Sequence, residues 1–383
     1  MDEQETSAAF PSPAAARSVR RRIPVEFSGT GGEYFRIWIV NLLLTIITLG
    51  IYSAWAKVRK MQYFYRNTRV DGAVFDYHGR PMAILKGRLI ALALLVLYNV
   101  AFQFSLLLGL ATVAALAIAM PWLLAQSQRF RLHNSSYRGL RFRFLGSVRE
   151  AYAIFGIPIL ILLGVGGWFT TIGQRAQEGI APVTSTLIFL GVFYLVLLLF
   201  WPYLHYRFKR YQHANSAYGA TASAFSGVAS RFYAFYGMAL LMLLLAGAAL
   251  GAMGAMFGMR SGAGVVVFFA GVVLFYIVLL GIGPYIAARV QNHVWTTTRL
   301  GAVRFDSTVG ARRLAWIVIS NLILIALTLG LFTPFAAVRA AKYKLESMTV
   351  LAEDLEKFAG ASGTDVGAVG EGAADLFDVD FAL

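Results

Sequence analysis

NLLLTIITLGIYSAWAKVRKMQYFYR, residues 41–66, decides how this chain is read, because it returns as NLILIALTLGLFTPFAAVRAAKYKLE at residues 321–346. The two copies share Asn, Thr-Leu-Gly, Ala-x-Val-Arg and Tyr at the same offsets. The second half of the unit occurs three more times between them. A Pro or Ala, an aromatic and then usually an Arg read Ala54-Trp55…Arg59, Pro121-Trp122…Gln126, Pro202-Tyr203…Arg207, Pro284-Tyr285…Arg289 and Pro334-Phe335…Arg339. A small polar residue follows each at one offset: Asn67, Asn134, Asn215, Thr297 and Ser347. Gly72, Gly139, Gly219 and Gly301 come shortly after the first four. Copies at fixed offsets mark internal duplication.

The segments between these units are apolar. The chain of 383 residues is 58% hydrophobic and 14% charged, against about 25% charged in soluble domains. Residues 89–125, 151–173, 187–203, 232–259 and 314–338 carry no charge at all, and about 20 apolar residues cross a bilayer as a helix. The sequence therefore predicts an all-α polytopic membrane protein of internally repeated helical hairpins. The absence of cysteine removes disulfides, thiolate catalysis and cysteine metal sites.

The net charge of +15 falls between the apolar segments. Four linkers, 57–88, 127–150, 206–231 and 289–313, hold 23 of the 34 Lys and Arg residues. That distribution is the positive-inside pattern of cytoplasmic loops. No nucleic-acid-binding motif accompanies it, so nucleic acid is not an expected partner and membrane lipid is. Short β-strands are expected inside the linkers. Asp71-Gly72 within TRVDGAVFDYHG is a hairpin signal. Leu140, Phe142 and Phe144 alternate with Arg141 and Arg143, a strand with one basic face. TTRLGAVRFDS, at 297–307, reads the same way. Composition divides the chain into a disordered basic tail (1–24), a repeat-built membrane domain (25–350) and a disordered acidic tail (351–383).

The repeat constrains topology. Eight full crossings would send the basic N-terminal stretch and Arg339, Lys342 and Lys344 to the outside. Six crossings plus two short re-entrant segments, at 36–56 and 314–337 with turns near Thr48-Leu49-Gly50 and Thr328-Leu329-Gly330, keep every helix exit on one side. The second arrangement fits the charge pattern better, and the eight-crossing arrangement stays as its alternative.

The run TLGIYSAWAKVRK, followed by YFYRNTRVDG, FDYHG and KGR, resembles the YjgN-like family of bacterial inner-membrane proteins, a family of unknown function. The resemblance covers about residues 25–350. It implies an inner-membrane location and carries no activity, substrate or site residue.

Enzyme signatures are missing: there is no P-loop, HExxH, GxSxG or carboxylate pair. No catalytic residue, metal ligand or cofactor is assigned, and an enzyme is not expected. Two sets of residues remain as sites. Trp55, Arg59, Tyr203, Arg207, Tyr285, Arg289 and Arg339 form a collar suited to the headgroup level, either as topology anchors or as lipid-headgroup contacts. Asn41, Thr48, Asn321 and Thr328 are polar groups within apolar segments, suited to helix–helix hydrogen bonds or to a polar lining. Two functions follow: a transporter or channel for a small solute or lipid, or a non-catalytic lipid-binding or membrane-organising protein acting through its basic layer. Homo-oligomerisation stays open.

Overall fold

Short strands alternate with helical hairpins along the whole chain, and the strands close on one another. A computed structural model describes residues 20–177, 183–257 and 261–364. In chain order it contains β1 (Arg21–Phe27), α1 (Gly31–Ile47), α2 (Ser53–Arg66), β2 (Thr68–Val70), β3 (Ala73–Tyr77), α3 (Pro81–Phe104) and α4 (Leu106–His133). β4 (Ser135–Tyr137), β5 (Leu140–Phe144), α5 (Val148–Gln177), α6 (Val183–Ala214), β6 (Ser216–Tyr218) and β7 (Thr221–Phe225) follow. The chain then forms α7 (Ala229–Phe257), α8 (Gly262–Thr296), β8 (Thr298–Leu300), β9 (Val303–Ser307), α9 (Ala311–Leu327), α10 (Thr333–Glu346), β10 (Met348–Ala352) and α11 (Leu355–Thr364).

The ten strands form a closed antiparallel barrel in which each pairs with its chain neighbours, and β1 pairs with β10 to shut it. This corrects the all-α expectation. The reason the sequence hid the barrel is length: four of the strands have only three residues. Each finds its second partner only in the next repeat. Ring closure satisfies every edge. On one rim, two-residue turns join the hairpins. Asp71-Gly72 and Arg138-Gly139 have positive φ at both positions (48° and 74°, 47° and 82°), as the right-handed twist of a tight hairpin favours. On the other rim, all five connections are pairs of helices.

The duplication is therefore five-fold, and the fifth unit is split between the chain ends. Its β-hairpin is β10 with β1, in register from Arg21↔Ala352 to Pro24↔Thr349. One backbone bond recurs around the ring. The carbonyl of the helix-capping residue accepts from a residue at the end of the facing strand: Ser28 N to Asn67 O, His78 N to Asn134 O, Leu145 N to Asn215 O, Ser226 N to Thr297 O and Thr308 N to Ser347 O, all at 2.7–3.0 Å. Residues 21–24 and 351–364, read from composition as parts of disordered tails, hold the start of β1, the end of β10 and α11. Residues 1–19 and 365–383 lie outside the described residues.

Six helices, α3 to α8, are long and apolar enough to cross a membrane. The two terminal hairpins are shorter. α1 leaves the barrel from β1 and α2 returns to β2, so both ends sit on the same rim, and α9 with α10 does likewise. This supports the re-entrant arrangement over eight crossings. α1 has 17 residues, about 25 Å of helix, and its apolar half reaches only part-way through a hydrocarbon core of about 30 Å. The tips Leu49 and Leu329 are 95% exposed. Thr-Leu-Gly is the stop signal of α1 and α9. Leu49 (φ 50°) and Gly50 (φ 93°) give the two crossed bonds of a Schellman turn, Gly50 N to Thr45 O (2.7 Å) and Leu49 N to Ile46 O (3.1 Å). Gly330 to Ile325 and Leu329 to Ala326 repeat it at 2.8 and 3.2 Å.

Candidate lipid-binding site

The helices that run down into the barrel, α2, α4, α6, α8 and α10, carry the repeated motif. The Pro or Ala that opens it is buried in every copy: Ala54, Pro121, Pro202, Pro284 and Pro334. A small or ring-closed residue there lets neighbouring helices approach closely. Each helix then ends on a side-chain cap. Asn67 Nδ2 donates to Tyr63 O (2.8 Å), Asn134 to Phe130 O (2.9 Å) and Asn215 to Tyr211 O (3.1 Å). The hydroxyls of Thr297 and Ser347 donate to His293 O and Tyr343 O at 2.6 Å. These bonds satisfy terminal carbonyls and turn the chain into a strand.

The C-terminal ends of these helices meet one another above the barrel. Gln212 Nε2 on α6 donates to Gln128 Oε1 on α4 (3.3 Å). His213 on α6 stands edge-on to Trp295 on α8, with centroids 5.1 Å apart. Gln291 Nε2 on α8 donates to Lys344 O on α10 (3.1 Å). Phe130 on α4 packs on the cluster of Ala54 and Val58 in α2.

Below this ring of helix ends, the barrel interior encloses an apolar cavity of about 610 Å³. Inward positions of the strands supply its wall, among them Val70, Phe75, Phe142, Val303, Phe305 and Val350. Aromatic rings line it in contact: Phe75–Phe142 at 6.4 Å and Phe142–Tyr218 at 5.1 Å. Tyr137 and Tyr218 also face it, but their hydroxyls are spent on backbone, donating to Val70 O (2.8 Å) and Tyr137 O (2.9 Å). Burial, with Tyr137 alongside, pushes the Tyr218 phenol up to about 12, so it stays neutral. Lys344, at the helix-end side, is the one cation among the lining residues.

The far rim is stoppered by α11. Leu355 and Phe358 line the cavity floor. Phe358 stacks on Tyr218 at 5.9 Å. Ser362 is 2% exposed, accepts from Ala220 N at 3.0 Å and bonds the Thr221 hydroxyl at 2.8 Å. The cavity is thus a blind cup, walled by β-strands, floored by α11 and topped by helix ends that lead to the membrane spans.

The residues singled out from sequence lie elsewhere, and none of them lines this cup. The collar arginines fold back on their own aromatics. Arg207 lies 5.8 Å over the Tyr203 ring and donates to its hydroxyl at 3.1 Å. Arg289 lies 5.5 Å over Tyr285, and Arg59 lies 5.7 Å over Tyr52. Trp55 stacks on Tyr52 at 6.0 Å. Asn41 and Asn321 are buried and hold the arginine of their own hairpin: Arg59 Nη1 to Asn41 Oδ1 at 3.5 Å, and Arg339 Nη1 to Asn321 Oδ1 at 2.7 Å. Asn321 Nδ2 also donates to Ala336 O at 3.2 Å. Thr48 and Thr328 donate to Leu44 O and Leu324 O and accept from Tyr52 N and Phe332 N. They brace the hairpin turns. The cup residues were visible only as period-two aromatics in GLRFRFLG and its counterparts, a signal of strand and not of site.

The family described as a bacterial protein of unknown function, DUF898, matches residues 22–376. The chain belongs to this family. The curated relatives carry the name inner membrane protein YjgN. Those of Escherichia coli K12 and O157:H7 are 30% identical over 210 residues, 49% of this chain and 51% of theirs. That of Salmonella typhimurium LT2 is 32% identical over 146 residues, 36% of each chain. The chain thus spans about half the length of the first relatives it matches, or less. No solved structure matches it. Family membership and the six apolar helices make this a multi-pass membrane protein.

Proposed function

We propose that this protein is a non-catalytic lipid-binding protein of the bacterial inner membrane, which takes an acyl chain from the bilayer into the barrel. The observation that carries the reading is the cup itself. Its volume of about 610 Å³ falls in the range of small-molecule sites, about 300–1,000 Å³. Its wall is almost wholly apolar, and the helix ends that lead toward the membrane line its upper part. A hydrated solute finds few polar partners there; a hydrocarbon chain fits its chemistry. The floor formed by α11 favours binding over conduction. The positive-inside bias supports a cytoplasmic position for the barrel and its basic linkers.

Trp295 lines the cup and supplies the test. A variant keeping Trp295 and replacing the other six tryptophans by Phe is titrated in detergent with chains brominated on the tail. Saturable quenching is expected. It is expected to weaken when Val303→Phe and Val350→Phe together narrow the cup. Quenching that never saturates, or that is undiminished in the narrowed variant, would rule the reading out.

A further inference from the structure

Two cations sit among the converging helix ends, hydrogen-bonded to neutral amides and with His213 beside both. Lys209 Nζ on α6 donates to Gln212 Oε1 at 3.2 Å, and Arg131 Nη2 on α4 donates to Gln128 Oε1 at 2.7 Å. Gln212 Nε2 also donates to Gln128 Oε1, at 3.3 Å, so one chain of four side chains ties the two cations together across the helix–helix seam. Gln128 is 7% exposed. Both amides turn their oxygen toward a cation, the orientation that partly offsets positive charge.

Among the described residues no carboxylate pairs with either cation. The carboxylates that do make contacts are engaged elsewhere: Asp71 with Arg21 and Arg138, Asp76 with Arg66, Asp306 with Arg22, Glu346 with Lys342, Glu150 with Asn215, Glu33 with Tyr63, and Asp354 with the backbone of Glu356 and Lys357. Lys209 is half-buried and Arg131 is exposed; two like charges tied into one side-chain network without a counter-charge repel each other at a cost. An anion between them removes that cost.

The repeat fixes where this pair lies relative to the cup. Ten residues after the motif's Pro or Ala come Phe64, Arg131, Gln212, Val294 and Lys344. Phe64 and Lys344 line the cup, so Arg131 and Gln212 stand at the same level of the ring. Lys209 is one helical turn nearer the membrane, at the position that Ala341 of the cup wall takes in α10. A chain reaching down into the cup would leave its head at this level.

We infer that Arg131 and Lys209, oriented by Gln128 and Gln212, bind the phosphate or carboxylate headgroup of the lipid whose tail enters the barrel. The inference rests on the lipid-binding reading above. Arg offers a planar fork matched to carboxylate or phosphate oxygens, and Lys a point charge. Basic pockets between membrane helices are where anionic headgroups dock.

The test uses the single-tryptophan protein with three probes: dibromostearate, dibromostearoyl glycerol and inorganic phosphate. The anionic chain is expected to bind at least about tenfold tighter than the neutral one, and Arg131→Gln or Lys209→Gln to erase that preference. Binding of the neutral chain is expected to stay unchanged in both variants, which also establishes that they fold. Lys209→Arg is expected to keep the preference. Equal binding of charged and neutral chains in the unmodified seam would overturn the headgroup site and leave the cup standing. Saturable binding of neither would overturn the cup, and the headgroup site with it. Displacement of an anionic reporter by millimolar phosphate, with no preference between the two chains, would give the pair to a free anion and overturn the headgroup assignment.

Discussion

Gly219→Ala is expected to undock α11 from the barrel. Gly219 has φ 55°, and a Cβ placed there would run into the backbone carbonyl of Ser362, which cannot swing aside as a side-chain tip can. The clash breaks the Ala220 N to Ser362 O bond and the Thr221–Ser362 hydroxyl bond, each worth about 1 kcal/mol net. It also loosens Leu355, a buried side chain worth about 1.5–3 kcal/mol when fully covered. A net loss of about 2–3 kcal/mol raises the population of the released helix roughly 30–150-fold, at 1.4 kcal/mol per decade. Hydrogen–deuterium exchange of residues 355–362 and tryptic cutting at Lys357 both report that population. Gly139→Ala is the control. Gly139 also has positive φ (82°), in the equivalent turn of another repeat, but nothing lies within 4 Å of its added Cβ. It strains its turn and leaves α11 docked. Unchanged protection of α11 in Gly219→Ala, or equal release by Gly139→Ala, would refute the reasoning.

Asn321→Leu removes the acceptor of Arg339 and the donor to Ala336 O; it is expected to cost about 1–3 kcal/mol, read as faster exchange across α9 and α10 with α3–α8 unaffected. In four repeats an aromatic ring lies over the glycine two residues on, as Phe27 over Gly29 and Phe144 over Gly146. The remaining repeat has Ser307 and Val309, both bonded to Asn292 Oδ1 at 2.9 and 2.8 Å. Ser307→Phe and Val309→Gly are each expected to lower the thermal midpoint, and the double variant to fall short of their sum by the equivalent of at least about 1 kcal/mol; strict additivity would deny that the ring and the glycine are coupled.

The duplication, the helix exits onto one barrel rim and the short terminal hairpins were legible because they depend on local signals: Thr-Leu-Gly at a helix end, Asn or Ser at a cap, Asp-Gly in a turn. The barrel was not. β6 (SAY) and β8 (TRL) are too short for any alternation to stand out, and β10 lies in a stretch leading to an acidic, Gly-rich tail. The pairing of Arg22 with Leu351 joins residues at opposite ends of the chain, a partner no local pattern announces. The site was hidden for the same reason. Trp55, Arg59, Asn41 and Asn321 attract notice by chemistry, yet they serve their own hairpins. Phe142, Tyr218 and Val350 look like ordinary strand residues, and only ring closure makes them walls of one cavity. Arg131 and Lys209 read as linker charge, because the Gln128–Gln212 seam that links them exists only when α4 meets α6.

Neighbouring positions on β5 provide the most direct test of the central claim, that the barrel interior holds lipid. Phe142 lines the cup, and Arg141, one residue earlier, points out. A photoreactive benzoylphenylalanine is placed at each position in turn, irradiated in native membranes, and its adducts are identified by mass spectrometry. An acyl-lipid adduct at position 142 and none at 141 is the expected result. Equal labelling at both positions, or no lipid adduct at 142, would contradict the account.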